Sequence, residues 1–393
     1  MIPYARQDIS QADIDAVVAV LRSDFLTQGP TIADFEQAVA ARTTARHAVA
    51  ANSATSALHI ACLALGLGPG DRLWTVPNTY VASANCGRYC GAEVDFVDID
   101  ARTYNLSTEA LAAKLAAAEC SGTLPKVLVA VHFGGQSCDM QAIHALAVRY
   151  RFRILEDASH AIGGTYRSGA VGSCAYSDIS VFSFHPVKII TSAEGGMALT
   201  NDAELAARMR RLRTHGVTRE PALMRRTGQG AWYYEQLDLG FNYRMTEIQA
   251  ALGFSQLQRI DEFLARRRQI AAAYDRRLAD LPLILPFQHP DAESAFHLYP
   301  VQVDDARTRL DRATLVERLR ELGVAASVHY IPVHTQPYYQ RLGFRQGQFP
   351  QAEKYYSRTA SLPMYASLSA SDVDAVVSAV HRACGAWGEH APS

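Results

Sequence analysis

Four groups of residues in this chain have types and spacings suited to chemistry, and all fall near the ends of apolar runs. The first is a lysine. Ile179 to Phe184 alternates like a strand and enters a polar turn, His185 to Ala193, which carries Lys188 and closes on Glu194-Gly195-Gly196. A lysine presented at a strand end by small polar neighbours can be desolvated and lose its proton, as a nucleophile or base must. The ordinary alternative is a solvated surface lysine, and the other three groups weigh against it. In Leu155-Glu156-Asp157-Ala158-Ser159-His160, Asp157 closes a buried strand. A buried carboxylate needs a partner: either the N–H groups of the next turn or a protonated nitrogen of a bound ring. His160 follows, placed for a ring hydroxyl or for a structural hydrogen bond. Asn52-Ser53-Ala54-Thr55-Ser56-Ala57-Leu58 reads as a strand-to-helix turn. Its free N–H groups, hydroxyls and positive dipole end suit a phosphate, while plain capping by Asn52 or Ser53 is the alternative. It lacks both a P-loop lysine and a dinucleotide fingerprint. Tyr80 is an aromatic at another strand end, suited to stack on a flat ring or to pack in a core.

The elements between these groups alternate. Strands are expected at His47–Ala51, Leu73–Val76, Glu93–Asp98, Val127–His132, Arg153–Glu156 and Ile179–Phe184. Helices are expected at Val81–Cys90, Thr108–Ala118 and Met140–Tyr150. Short, continuous apolar strand runs imply a parallel sheet covered on both faces, so the fold class is α/β. Ligands of such sheets gather beyond the carboxyl ends of the strands, where Asn52–Thr55, Asn78–Tyr80, Asp157–His160 and Lys188 all lie. A long helical pattern, Tyr243 to Leu278 with a break near Asp261, leads to a second domain. That domain mixes strands (Tyr299–Val303, Ala326–His329) with helices (Ala313–Leu322, Ala370–Cys384).

With 38 basic and 39 acidic residues among 393, no global field favours nucleic acid or an anionic membrane. No secretory signal and no bilayer-spanning run is visible. Seven cysteines, an odd count with no Cys-x-x-Cys pair, fit reduced thiols in a cytoplasm. His329 and His334 lie five apart across a proline, which is not the spacing of a zinc pair, and no metal is expected.

The segments Asn52–Leu58, Glu156–His160, Ser183–Lys188, Glu194–Gly196 and Gly240-Phe241-Asn242-Tyr243-Arg244-Met245 together resemble the DegT/StrS-type nucleotide-sugar aminotransferases. Order and spacing match from about Tyr4 to Pro363. The resemblance implies a fold-type I pyridoxal-phosphate-dependent transferase. Residues 1–262 would form a large domain with an N-terminal arm and a mixed, mainly parallel sheet, and residues 263–393 a smaller α+β domain. Lys188 would hold pyridoxal 5'-phosphate covalently, and Asp157 would pair with its ring nitrogen. His160 would sit beside the ring hydroxyl and Tyr80 would stack on the ring. Ala54, Thr55 and Ser183 would bind the phosphate. Asn242 would reach the cofactor of a neighbouring subunit, giving a homodimer with shared sites. Tyr4, the loop Asp24, Phe25, Leu26 and Thr27, and the stretch Ser327, Val328, His329 and Tyr330 would line the nucleotide-sugar site. By residue type, Tyr299 could add an aromatic face with a hydroxyl handle or simply pack the second domain, and Arg6 could offer a diphosphate partner. The substrates implied are L-glutamate and a UDP-2-acetamido-2,6-dideoxy-4-keto-hexose aminated at C4, as in pseudaminic acid synthesis. Lysine, where dehydratases of the family carry histidine, favours transamination. Ile189 departs from the Pro or Asn that many relatives place after the lysine.

Overall fold

A computed structural model of the chain describes residues 1–226, 228 and 230–385. Seven strands form the main sheet: β1 (His47–Ala51), β2 (Arg72–Thr75), β3 (Glu93–Phe96), β4 (Val127–Val131), β5 (Arg153–Asp157), β6 (Ile179–Ser183) and β7 (Gly196–Thr200). Their order is β1-β7-β6-β5-β4-β2-β3. The run from β6 to β3 is parallel, and β7 alone runs against its neighbours β1 and β6. The sheet is thus mixed and mainly parallel, as expected.

Its strands are apolar on both faces because both faces are covered. All five residues of β4, Val-Leu-Val-Ala-Val, are buried. Where side chains alternate, they feed two cores. Val49 and Ala51 of β1, Val181 of β6 and Ala198 of β7 join one. Ala48 and Ala50, Phe182, and Met197 and Leu199 of the same strands join the other. Helix α1 (Gln11–Leu21) starts at a capping box of Ser10 and Asp13, followed by α2 (Pro30–Thr43). Helix α3 (Ala54–Ala64) packs on β1, β5, β6 and β7, and α4 (Ala82–Tyr89) on β2, β3 and β4. Helices α5 (Thr108–Ser121), α6 (Met140–Tyr150) and α7 (Ala203–Leu212) complete this part.

Two helices, α8 (Glu247–Gln258) and α9 (Ile260–Arg277), lead out of the sheet region. The break falls at Arg259, two residues before the expected place. The expected helix start at Tyr243 is not helical, because Tyr243 is tied by its main chain to Asn52 and Arg213. Ile260, Phe263 and Leu264 of α9 pack into the second core, and Ile270, Ala271 and Tyr274 into a third. The expected domain boundary at 262/263 falls inside this helix. The third core is built on the antiparallel strands β8 (Leu283–Ile284), β9 (Tyr299–Val303) and β10 (Thr359–Leu362). Helices α10 (Arg312–Glu321) and α12 (Ala370–Gly385) cover them, and α11 (Pro350–Arg358) precedes β10. Ala326–His329, expected as a strand, makes only one bridge, Ser327 to Ser361. The segment then turns toward Pro332 and carries its side chains to the site described next. Among the described residues, no helix is long and apolar enough to cross a membrane.

Candidate active site

The carboxyl ends of β1, β2, β4, β5 and β6 open onto one cavity of about 440 Å³. The parallel register explains this convergence. Asp157, last residue of β5, stands level with Val131 of β4 and Val181 of β6. Lys188 follows β6 in a turn fixed by its own N–H on the carbonyl of His185 at 2.9 Å. Both line the cavity, with Ala54, Thr55, Tyr80, His160, Ser183, Tyr4, His329 and Tyr330. Ten of the sequence-derived candidates therefore meet in one place.

Each is held by identifiable contacts. Asp157 is buried, and its Oδ2 accepts from the Ser83 hydroxyl at 2.6 Å. Ser83 is itself 2.7 Å from the Thr79 hydroxyl, and the Ser159 N–H reaches Asp157 Oδ1 at 3.2 Å. Lys188 is half-buried at the cavity wall. Desolvation pulls its pKa from 10.5 to about 8, against the opposing pull of Asp157. His160 is buried, and burial, then the positive charge of Lys188, hold its pKa far below the usual value. The Gly134 N–H donates to its Nδ1 at 3.2 Å, so the neutral ring carries its proton on Nε2. Nε2–H then donates to Tyr330 Oη at 3.1 Å and leaves the tyrosine's own proton free. Burial pushes the Tyr330 phenol up, so that proton stays on it. Asn78 positions Tyr330 by accepting its N–H at 3.3 Å. His329, lowered to about 4 chiefly by burial, bonds Ser361 through Nδ1 at 2.9 Å, and His334 bonds Glu353. The Tyr80 ring is 62% exposed at the mouth, 6.3 Å from Tyr330.

At the far wall, α3 begins with the Ser53 hydroxyl accepting the Ser56 N–H at 3.1 Å. The N–H groups of Ala54 and Thr55 have no partner within the helix. A Cβ on Gly196 would lie 2.5 Å from the Ser53 and Ala54 main chain. Only glycine lets β7 start against this helix turn.

Other candidates lie elsewhere in the protomer. Asp24, Phe25, Leu26 and Thr27 are exposed, tied to the start of α8 by the Glu247 N–H on the Leu26 carbonyl. Asn242 is exposed and bridges Thr214. Ser327 and Val328 flank the cavity without lining it. Tyr299 is a core residue: its ring packs edge-on against Tyr274 and its hydroxyl bonds Asp275. Arg6 lines a small neighbouring pocket that shares Lys188. Sequence reasoning assigned no role to Ser83, Thr79 or His297, although the last two line the cavity. Ser83 reaches Asp157 across 74 positions, and no local pattern marks such a pair.

Residues 7–381 match the model of the DegT/DnrJ/EryC1/StrS aminotransferase family. The spore coat polysaccharide biosynthesis protein SpsC of Bacillus subtilis (strain 168) is 43% identical over 382 residues, 96% of each chain. A UDP-4-amino-4-deoxy-L-arabinose–oxoglutarate aminotransferase of Shewanella sediminis is 36% identical over 394 residues, 98% of each chain. The structure of Helicobacter pylori PseC, an aminotransferase involved in the biosynthesis of pseudoaminic acid, superposes with a TM-score of 0.88 at 31% identity. That match covers 98% of this chain and 100% of PseC.

Enzymes of this family depend on pyridoxal phosphate, and the residues present fit that group. The α3 turn, packed against Gly196, offers free N–H groups to a phosphate, Asp157 is a buried carboxylate, and Lys188 is an amine with a lowered pKa. A lysine with a pKa of about 8 is roughly one-tenth free amine at pH 7, against less than about a thousandth for an ordinary lysine. Cofactor uptake by the apo-enzyme, followed by absorbance, should therefore rise with pH and level off above about pH 8. A rise continuing to pH 10 would show an unperturbed lysine. The chain belongs to the DegT/DnrJ/EryC1/StrS aminotransferase family and is a pyridoxal-phosphate-dependent sugar aminotransferase.

Proposed function

We propose that this enzyme transfers the amino group of L-glutamate to C4 of a UDP-2-acetamido-2,6-dideoxy-4-keto-hexose. The β-L-arabino isomer is the preferred acceptor, and the product is UDP-4-amino-4,6-dideoxy-N-acetyl-β-L-altrosamine, on the way to pseudaminic acid. The observation that carries the reading is Lys188, with its lowered pKa, sharing one cavity with the buried Asp157. The likeness to PseC supports the hexose, and the Shewanella relative supports both a UDP-linked sugar and oxoglutarate as the keto product. That relative also favours a second reading, a UDP-4-keto-pentose.

Bound pyridoxal phosphate supplies an electron sink for the carbon that loses its proton. Lys188 Nζ, as the free amine, takes the α-proton of glutamate, and in the second half returns a proton to C4 of the sugar. Asp157, fixed by Ser83 and the Ser159 N–H, would pair with the ring nitrogen. His160, neutral, would donate from Nε2 toward the ring hydroxyl or keep its bond to Tyr330. Ala54, Thr55 and Ser183 would hold the phosphate, and Tyr80 would cover the ring. Tyr4, His329 and Tyr330 would meet the sugar nucleotide, the Tyr330 hydroxyl with a proton to give.

The enzyme acts as a cytoplasmic homodimer. Asn242 lies outside its own cavity, and the same stretch exposes Trp232 and Leu239, at 76% and 82%. A second copy would cover these apolar groups and receive Asn242 at its own site, and would bring its loop Asp24 to Thr27 toward the sugar nucleotide, which Ser327 and Val328 would meet from the edge of their own cavity. Hybrids of Lys188→Ala and Asn242→Ala subunits should regain activity through one intact site. Hybrids that form without regaining any would refute sharing.

The substrate is tested with ¹⁵N-glutamate and the candidate UDP-4-keto sugars, with products read by NMR. Sites that read sugar hydroxyls discriminate strongly, by about 10⁴-fold where partners go unpaired. The β-L-arabino isomer should show the highest kcat/KM, with ¹⁵N at C4. A higher value for the D-xylo isomer, the pentose or a dTDP-linked 3-keto sugar would overturn the assignment.

A further inference from the structure

Two buried polar groups beside the cavity lack partners. His297 lines the cavity and is 2% exposed, yet its Nδ1 is buried without a hydrogen bond. Arg267 of α9, also 2% exposed, gives its guanidinium only to main-chain carbonyls. Its Nη1 donates to Phe296 O at 3.1 Å, His297 O at 3.4 Å and Met364 O at 2.9 Å, and its Nε has no partner. No carboxylate pairs with it among the described residues. Buried polar groups are normally satisfied, and a buried cation without a counter-charge is costly. His297 Nδ1 is sealed off, so the ring meets the cavity through Nε2, which bonds no protein group among the described residues, and Arg267 lies behind it in a small neighbouring pocket that shares Lys188.

The imidazole is held rigidly. The Ala295 N–H bonds Gly135 O at 3.0 Å and the Leu298 N–H bonds Gly134 O at 3.1 Å. Two of the carbonyls that Arg267 holds, those of Phe296 and His297, belong to the same turn, and the ring lies 4.4 Å from that of His160. Burial above all, with the positive charges of Lys188 and Arg267 nearby, keeps His297 neutral. A neutral ring among cations is suited to donate to an anion. The reaction brings three anionic groups. The cofactor phosphate has the α3 turn. The diphosphate of the sugar nucleotide is separated from the reacting C4 by the sugar ring, so it lies toward the mouth. The α-carboxylate of the amino donor is bonded to the very carbon whose proton Lys188 removes, so it must lie near Lys188, in the cavity that His297 also lines.

We propose that His297 hydrogen-bonds the α-carboxylate of the amino donor, with the Arg267 guanidinium behind it as the positive charge this carboxylate answers. The proposal rests on the aminotransferase reading above. It assigns His297 to one half of the reaction only, since the keto sugar carries no carboxylate.

The test uses the holoenzyme and its His297→Ala and His297→Asn variants, with melting temperature checked for each. Succinate serves as an unreactive carboxylate probe and UDP as a control. Losing a hydrogen bond to a charged group costs about ten- to hundredfold in affinity. Succinate affinity, and the kcat/KM for 2-oxoglutarate release from glutamate, should fall by that factor in His297→Ala. UDP affinity and amine transfer to the keto sugar should hold, and Asn should restore part of the loss. Unchanged succinate binding, or equal losses in both half-reactions, would overturn the proposal. If the wild-type enzyme releases no 2-oxoglutarate, the reaction reading fails, while the succinate titration still decides the carboxylate site.

Discussion

Lys188→Ala is expected to lower transamination by about 10⁴-fold or more, the upper range for removing a general acid–base group. Lys188 is the lysine that lines the cavity, and burial lowers its pKa to about 8. An alanine there leaves no amine to take the α-proton and none to anchor the cofactor. The turn itself should survive, because it is closed by main-chain bonds: the Lys188 N–H on His185 O and the Ser192 N–H on Phe184 O. Lys188→Arg should not rescue, since a guanidinium keeps its proton at working pH. Steady-state amine transfer, with the cofactor supplied in excess, measures the effect. Turnover within tenfold of wild type would remove Lys188 from its role.

The second large effect is expected at Asp157. Asp157→Asn keeps the shape: its Oδ1 can still accept from the Ser159 N–H and its NH2 can donate to the Ser83 hydroxyl, but it takes away the charge facing the ring nitrogen. Losses of about 10²–10³-fold or more in kcat follow when a preorganised electrostatic partner is removed. Near-normal kcat in Asp157→Asn would refute the pairing. Ser83→Ala should move kcat the same way and less, because it frees the carboxylate without discharging it.

The parts of the site legible in the sequence were those with local signals. Asp157, Lys188 and the Ala54–Thr55 turn each follow an apolar strand, and the parallel sheet brings strand ends to one edge. The hydrogen bonds that hold them were not legible. Ser83 and Asp157 meet because α4 packs on β4, the neighbour of β5, and nothing in Val81–Cys90 announces that pairing. Tyr299 failed for the converse reason. A tyrosine there suits either a sugar site or the packing of the second domain, and the third core closes over it. The resemblance gives Asn242 to a neighbouring subunit's cofactor and the Asp24–Thr27 loop to the sugar-nucleotide site, and one protomer leaves both outside its cavity. Their role depends on a neighbour that no periodicity within one chain can reveal.

The account turns on Lys188 as the residue that holds pyridoxal phosphate. Borohydride treatment of the holoenzyme, followed by proteolysis and peptide mass mapping, tests this directly. The cofactor mass should appear on the peptide containing Lys188 and be absent from Lys188→Ala. Cofactor mass on any other lysine, or none on a holoenzyme that turns over, would contradict it.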